Sequence, residues 1–278
     1  MGRLHAYAEE FGAELVLAAD LLASTGREGP SLEEAIGEVD FLLTLGGDGT
    51  LLRGARLAGP QDVPVVGCNL GKLGFLTSVP LGRLDDLLHR LRDGRYAEER
   101  RLALHVGLHP TAGDGGEAPA EPEQTFYALN DAVVHKGGFA RLMAMRVWVD
   151  EEEVGQYSAD GIVVATATGS TAYSLSAGGP ILVPSLDALV ATPICPHTMA
   201  IRPVVVPAGA TIQVEILSRM DGILVTVDGQ SGGSLGGGGK VTVRRSPHPV
   251  RLIRMPDQNF FSVLRQKLRW GDVRPLAD

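Results

Sequence analysis

Three short stretches of the 278-residue sequence bring together residue types suited to chemistry at a phosphate or a hydroxyl. Gly46-Gly47-Asp48-Gly49-Thr50 places one carboxylate among glycines, between an apolar run and a helical pattern. Glycines let a phosphate approach backbone N–H groups closely, and the start of a helix adds unpaired N–H groups and the positive end of its dipole. Asp48 is the odd member of such a cradle. Its carboxylate repels a phosphate unless a cation bridges the two or the carboxylate works on a neighbouring hydroxyl. The simpler reading of Gly-Gly-Asp alone is an aspartate capping a strand-to-helix turn. In the second stretch, residues 160–182 (DGIVVATATGSTAYSLSAGGPIL), a strand runs into a row of hydroxyls and small residues. That row suits hydrogen bonding to a polar ligand or, more plainly, a capped helix start. The third, Asn130-Asp131, sets an amide beside a carboxylate and matches the donor and acceptor pattern of a ribose diol or an adenine edge. Alone, the pair also reads as a turn.

Strands and helices must hold these groups. Residues 41–45 are unbrokenly apolar apart from Thr44, as expected of a strand buried on both faces, and Leu51, Leu52, Ala55 and Ala58 recur at helical spacing. Residues 2–11 read as a helix ended by Gly12, residues 13–19 as a strand, and Ser31 with Glu34 as a capping box. Residues 63–68 read as a second buried strand that runs into the glycine-interrupted loop 69–77 (NLGKLGFLT). Leu81, Leu84, Leu87, Leu88 and Leu91 then mark an amphipathic helix. The alternation predicts an α/β domain with a doubly wound parallel sheet, whose ligands sit at the carboxyl ends of the strands.

From about residue 101 the pattern changes. Residues 102–108, 126–134, 142–149, 161–166, 211–217, 223–227 and 241–243 are strand-like and separated by Gly, Asp and Pro turns, which predicts a mostly-β domain. Residues 109–124 read as a long hairpin loop and residues 231–239 as a flexible glycine loop, and a helical pattern returns after Asn259. The expected domains are residues 1–99 with 248–278, and residues 100–247, the C-terminal segment returning to the α/β domain.

Composition narrows the function classes. The chain is 44% hydrophobic and 21% charged, and its formal net charge of -8 with 5% aromatics lacks the footprint of a nucleic-acid binder. Cys68 and Cys195 are the only cysteines, too few for a disulfide framework or a Cys-based metal site, and they fit a reducing cytoplasm. No apolar run approaches the roughly 20 residues of a membrane span. Neither Walker A spacing, a G-x-G-x-x-G after a strand, a G-x-S-x-G elbow nor HExxH occurs. His105 and His135 read as ordinary strand residues, and His197, although near a loop, reads more as an ordinary residue than as one that touches a ligand.

Taken in order, GGDGT, NLGKLGFLT, the Asn-Asp pair, DGIVVATATGSTAYSLSAGGP, CPHTMAIRP and VDGQ resemble the ATP-dependent NAD kinase family, over most of residues 41–230. GGDGT alone has counterparts in lipid kinases of the diacylglycerol and sphingosine type and, with variation, in phosphofructokinases. TGSTAY with its flanks is more discriminating. The resemblance implies transfer of the γ-phosphoryl group of ATP, or of polyphosphate, to the 2′-hydroxyl of the adenosine ribose of NAD. It implies that Asp48 contacts that hydroxyl and accepts its proton, while Gly46, Gly47, Gly49 and Thr50 cradle the donor phosphates and Gly49 also borders NAD. Phe75 is implied against the adenine, Asn130 and Asp131 on ribose and adenine, and Thr171, Ala172, Tyr173 and Ser176 along the adenine side. Asp160 would reach the nicotinamide part of a site completed across a subunit interface, in a homo-oligomer (dimer or tetramer), and Asp228 would lie beside the reacting groups. Mg²⁺ would arrive with ATP, no metal ligand being assigned in the chain. NAD and ATP are the implied partners, with no nucleic acid and no membrane.

Some features depart from the family. Asp131 stands where many members carry glutamate, and Ala167 replaces a proline frequent in that motif. The insertion at 109–124 is long, and members usually open with a strand before the helix at which this sequence starts. A lipid kinase of the same superfamily would need a large apolar acceptor pocket and membrane contact, against the acidic chain and the hydroxyl-rich TGSTAYS. A non-catalytic nucleotide sensor would gain nothing from Asp48 beside phosphates.

Overall fold

Alternating apolar strands and amphipathic helices build the first of two units, residues 1–100 with 250–278; residues 101–249 make the second. The computed structural model describes residues 2–26, 28–71, 74–77, 79–111, 118–138, 142–198, 200–218, 222–255 and 259–270. In the first unit the sheet order is Leu42–Leu45, Val65–Asn69, Val250–Arg254, Ala97–Arg101, with Val79–Pro80 also paired to Val65–Asn69. Leu42–Leu45, Val79–Pro80 and Val250–Arg254 all run parallel to Val65–Asn69. Every residue of Val65–Asn69 is buried, as a strand covered on both faces requires. On one face Val66, Cys68 and Ile253 pack against Leu4 of helix Gly2–Phe11 and against Leu84, Leu87 and Leu88 of helix Leu84–Arg92. On the other lies helix Asp48–Ala58, so close that a Cβ on Gly54 would come 2.6 Å from Thr44 Cγ2 and one on Gly67 2.7 Å from Leu51 Cδ1. Helices on both faces make the sheet doubly wound. Leu42–Leu45 and Val65–Asn69 are parallel and in register from Leu42↔Val65 to Leu45↔Cys68, so the loops that follow them emerge at the same edge.

Residues 13–19 do not form the expected strand. Residues 13–18 pair with no strand, Leu17 O accepting from Leu32 N at 2.8 Å, and helix Ala19–Thr25 begins where the strand was to end. Leu15 and Leu17 still turn inward, so the apolar pattern reports burial here and not strand pairing.

The second unit is a sandwich of two six-stranded sheets in which every register is antiparallel. One has the order Val204–Pro207, Ala188–Ile194, Gly161–Thr166, Asp131–Lys136, Ile223–Val227, Gln230–Leu235. The other runs Gln124–Ala128, Leu104–His109, Lys240–Arg245, Ile212–Ile216, Met143–Val149, Glu152–Ala159. Alternate residues of both sheets, among them Val106, Met145, Val214, Val134, Ile162 and Val225, form one shared core. The apolar 126–134 run is not one strand: it breaks at Leu129-Asn130, where the chain crosses from one sheet to the other. Residues 231–239 are not simply a glycine loop. Gln230–Leu235 is a strand, with a register shift opposite Val225/Thr226 and Gly233 at φ 131, a conformation that favours glycine. Helix Phe260–Leu268 confirms the C-terminal helical pattern, with Asn259 Oδ1 accepting from Ser262 N at 2.8 Å. No helix among the described residues is long and apolar enough to cross a membrane.

Candidate active site

Helix Asp48–Ala58 starts just beyond the Leu42–Leu45 strand, with Gly47 as its extended N-cap residue. A Cβ on Gly46 would fall 2.3 Å from Thr50 Oγ1, so this position needs glycine. Among the described residues a Cβ on Gly47 or Gly49 would meet nothing within 4 Å, which leaves the backbone open to an incoming group beside the first-turn N–H groups of the helix. Asp48 turns away from its own helix. Its Oδ2 accepts from Phe75 N at 2.8 Å, and its Oδ1 accepts from Leu76 N at 3.1 Å, Thr77 N at 3.0 Å and Thr77 Oγ1 at 3.1 Å. The loop lies so near that a Cβ on Gly74 would be 1.8 Å from Oδ1. Four charge-assisted bonds keep the carboxylate in one orientation. Phe75 is half-buried, and the Lys267 ammonium stands 5.7 Å from its ring centroid. The buried Arg254 approaches the Phe75 carbonyl at 3.5 Å and Glu99 at 3.7 Å. Lys72 and Leu73 of the NLGKLGFLT stretch lie outside the described residues.

The second unit uses a carboxylate in the same way. Asp228 and Gly229, at φ 48 and 72, form the tight turn between Ile223–Val227 and Gln230–Leu235. The Asp228 side chain folds back and accepts from the N–H groups of Leu129 at 2.9 Å, Asn130 at 2.8 Å and Asp131 at 3.2 Å. Its own N–H donates to Asp131 O at 3.0 Å. From the neighbouring strand the Thr166 hydroxyl donates to Leu129 O at 2.7 Å, and Thr166 N donates to Asn130 O at 2.9 Å. Gly169 presses on the same corner: its Cβ would lie 2.1 Å from Asn130 O. Asn130 and Asp131 are therefore gripped from two sides.

The hydroxyl row of TATGSTAYS divides into scaffold and surface. Thr166, Ser170 and Ser174 are buried; Ser170 Oγ donates to Ala167 O at 2.7 Å and accepts from Leu182 N at 2.9 Å, and Ser174 Oγ lies 2.8 Å from Thr192 Oγ1. Tyr173, 46% exposed, and Ser176 face solvent, with Thr171 and Ala172 partly exposed beside them. Asp160 stands apart. It precedes strand Gly161–Thr166, roughly 20 Å from the Thr166 end and at the opposite end from Asn130. There its carboxylate pairs with Lys136 at 2.5 Å, close to Ile194, whose carbonyl accepts from Asp160 N at 2.9 Å. Within one chain Asp160 is not brought to Asn130 and Asp131. Asn69, Thr77, Gly74, Thr166 and Gly169 have structural roles that sequence reasoning passed over, although each lies inside a stretch it singled out.

Asp131 is the electrostatic outlier. Burial, and after it the charge of Asp228, push its carboxyl from the ordinary 3.8 up to about 7. The folded protein therefore holds a proton between about pH 4 and 7 that the unfolded chain has lost, and stability falls as pH rises across that window. Asp131→Asn is expected to stabilise the ligand-free protein at about pH 8, by on the order of 4 kcal/mol at most and with a higher melting temperature, with little change near pH 4.5. Thermal melts of both proteins across this range check it; parallel curves would contradict the buried charge.

Comparison with known proteins follows the same division of the chain. Family models described as the ATP-NAD kinase N-terminal and C-terminal domains match residues 25–96 and 129–255. The NAD kinase of Gemmatimonas aurantiaca is 48% identical over 235 residues, 84% of this chain and 79% of that protein. The NAD kinase of Heliobacterium modesticaldum is 44% identical over 260 residues, 94% and 88% of the two chains. Among solved structures, yeast NADH kinase complexed with NADH superposes with a TM-score of 0.80 at 28% identity, over 90% of this chain and 72% of that one. An NAD kinase from Archaeoglobus fulgidus in complex with ATP gives a TM-score of 0.72 at 27% identity, over 96% and 94%.

Proposed function

The chain belongs to the NAD kinase family, a phosphotransferase that makes NADP from NAD and ATP, and we propose that Asp48 takes the proton from the accepting 2′-hydroxyl of the adenosine ribose. The observation that carries this role is the seating of Asp48: a carboxylate held by four donors at the start of a helix, beside backbone left open at Gly47 and Gly49. In the transfer, the 2′-oxygen forms a bond to the γ-phosphorus as its proton passes to Asp48. The bond from that phosphorus to the bridging oxygen of the β-phosphate breaks, and ADP leaves with the electron pair. Such a transition state asks the protein mainly for position and charge balance.

Gly46, Gly47, Gly49 and Thr50 border the donor phosphates, where helix N–H groups favour an anion. ATP enters as its Mg²⁺ complex, whose cation offsets the triphosphate charge and lets Asp48 work near it. Phe75 lies against the adenine of NAD. Asn130 and Asp131 hold its ribose and adenine, kept in place by Asp228, and Thr171, Ala172, Tyr173 and Ser176 line the adenine side. Asp160, remote from Asn130 along its own strand, serves the nicotinamide end of a neighbouring copy's site in a homo-oligomer (dimer or tetramer). Cys68 and Cys195 are both free thiols, in keeping with a reducing cytoplasm.

A coupled assay with ATP, Mg²⁺ and NAD, read through an NADP-specific dehydrogenase, tests the reading. NADP formation is expected. Silence together with thermal stabilisation by NAD would indicate a sensor, silence without it would send the acceptor elsewhere, and replacing ATP by polyphosphate in the same assay identifies the donor.

A further inference from the structure

We propose that Thr77 and Asn69 are positioning residues for the transfer: they saturate one oxygen of Asp48 so that the other, Oδ2, receives the hydroxyl proton. The inference rests on the reading of Asp48 as proton acceptor. The hydrogen bonds to its carboxylate are unequal. Oδ1 accepts from Leu76 N, Thr77 N and Thr77 Oγ1, whereas among the described residues Oδ2 accepts from Phe75 N alone. An ionised carboxylate offers about four acceptor sites, about two on each oxygen. Oδ1 is thus filled, and Oδ2 keeps one site for an incoming hydroxyl.

The Thr77 hydroxyl has one proton to donate, and the buried Asn69 decides where it goes. Asn69 Nδ2 donates to Thr77 Oγ1 at 2.8 Å; an amide NH₂ cannot accept, so the Thr77 proton is directed to Asp48 Oδ1 at 3.1 Å. The orientation of the amide is set in turn. Asn69 Oδ1 accepts from Gly71 N at 2.6 Å, and the swapped amide would face donor with donor. Donors therefore run in one direction, from Gly71 through Asn69 and Thr77 to Asp48. The sheet brings the ends together, since Asn69 closes one parallel strand and Asp48 follows its neighbour, with Leu45 opposite Cys68.

Thr77→Val keeps the shape and the backbone N–H and removes only the hydroxyl. Its kcat for NAD phosphorylation is expected to fall about 10- to 100-fold, with KM for NAD and ATP within about threefold of wild type. Thr77→Ser restores the donor and is expected to recover kcat to within about threefold. Asn69→Asp offers the Thr77 hydroxyl an acceptor and turns its proton away from Asp48. It is expected to slow kcat by a similar factor alone, yet by less than about threefold in the Thr77→Val background. Thr77→Ala replaces Thr77→Val should that variant not fold. A wild-type kcat in Thr77→Val, a Thr77→Ser as slow as Thr77→Val, or effects of Thr77→Val and Asn69→Asp that multiply would overturn the proposal while Asp48→Asn stays inactive. Normal turnover in Asp48→Asn would instead overturn the role of Asp48 itself.

Discussion

Asp48→Asn is expected to lower kcat for NAD phosphorylation by about 10³-fold, the scale on which a positioned proton acceptor contributes. The same substitution should cost some stability, for a reason visible in the loop. An asparagine keeps one acceptor oxygen, which goes to the side of Leu76 and Thr77, where three donors converge. Its NH₂ then opposes Phe75 N, now 2.8 Å from Oδ2. A lost bond of this kind costs about 1–3 kcal/mol, or several degrees in melting temperature for a chain of this size. NAD binding should survive, because Asn130, Asp131 and the 171–176 surface are untouched. The check is kcat, melting temperature and NAD affinity on one preparation: turnover near wild type sinks the assignment, whereas loss of turnover with NAD binding retained supports it.

Gly169→Ala is expected to be the most damaging single-methyl addition in the second unit. The added Cβ would meet Asn130 O at 2.1 Å, Asn130 C at 2.5 Å and Asn130 Cα at 2.7 Å, all backbone atoms that cannot rotate aside. Relief requires moving the Asn130–Asp131 corner, which Asp228 and Thr166 pin by hydrogen bonds. Overpacking of this kind costs about 3 kcal/mol, and a shifted corner should raise KM for NAD about tenfold or more. Gly209→Ala is the control, since a Cβ there meets nothing among the described residues within 4 Å, and its melting temperature should stay within about 1 °C of wild type. If Gly169→Ala matched that control in stability and KM, close packing at Asn130 would not matter to the site.

Much of the chemistry was legible along the chain. The glycine turn at 46–49, the helix after it and the buried strands beside it could be read from residues within a few positions of one another, because burial on two faces and helical periodicity are local patterns. The likeness to NAD kinases rested on such local strings, and the family comparisons bear it out. The same locality explains the misreadings. Residues 13–19 have an apolar pattern but no ladder, and Gln230–Leu235 is a strand despite its glycines, since pairing depends on what lies alongside and not on the segment itself.

Only the tertiary structure decided what the carboxylates do. Asp48 looks like a cap for its own helix, yet its bonds go 27 to 29 residues along the chain, and those of Asp228 go 97 to 99 residues back. Of the hydroxyls in TATGSTAYS, the chain alone cannot say which are scaffold and which face solvent, because they follow one another as the backbone turns from strand to helix. Nor can it say that Asp160 stands a strand's length from Asn130. Residue type and short spacing determined which groups could act; which of them meet depended on the register of parallel and antiparallel strands, a property of segments brought together from distant parts of the chain.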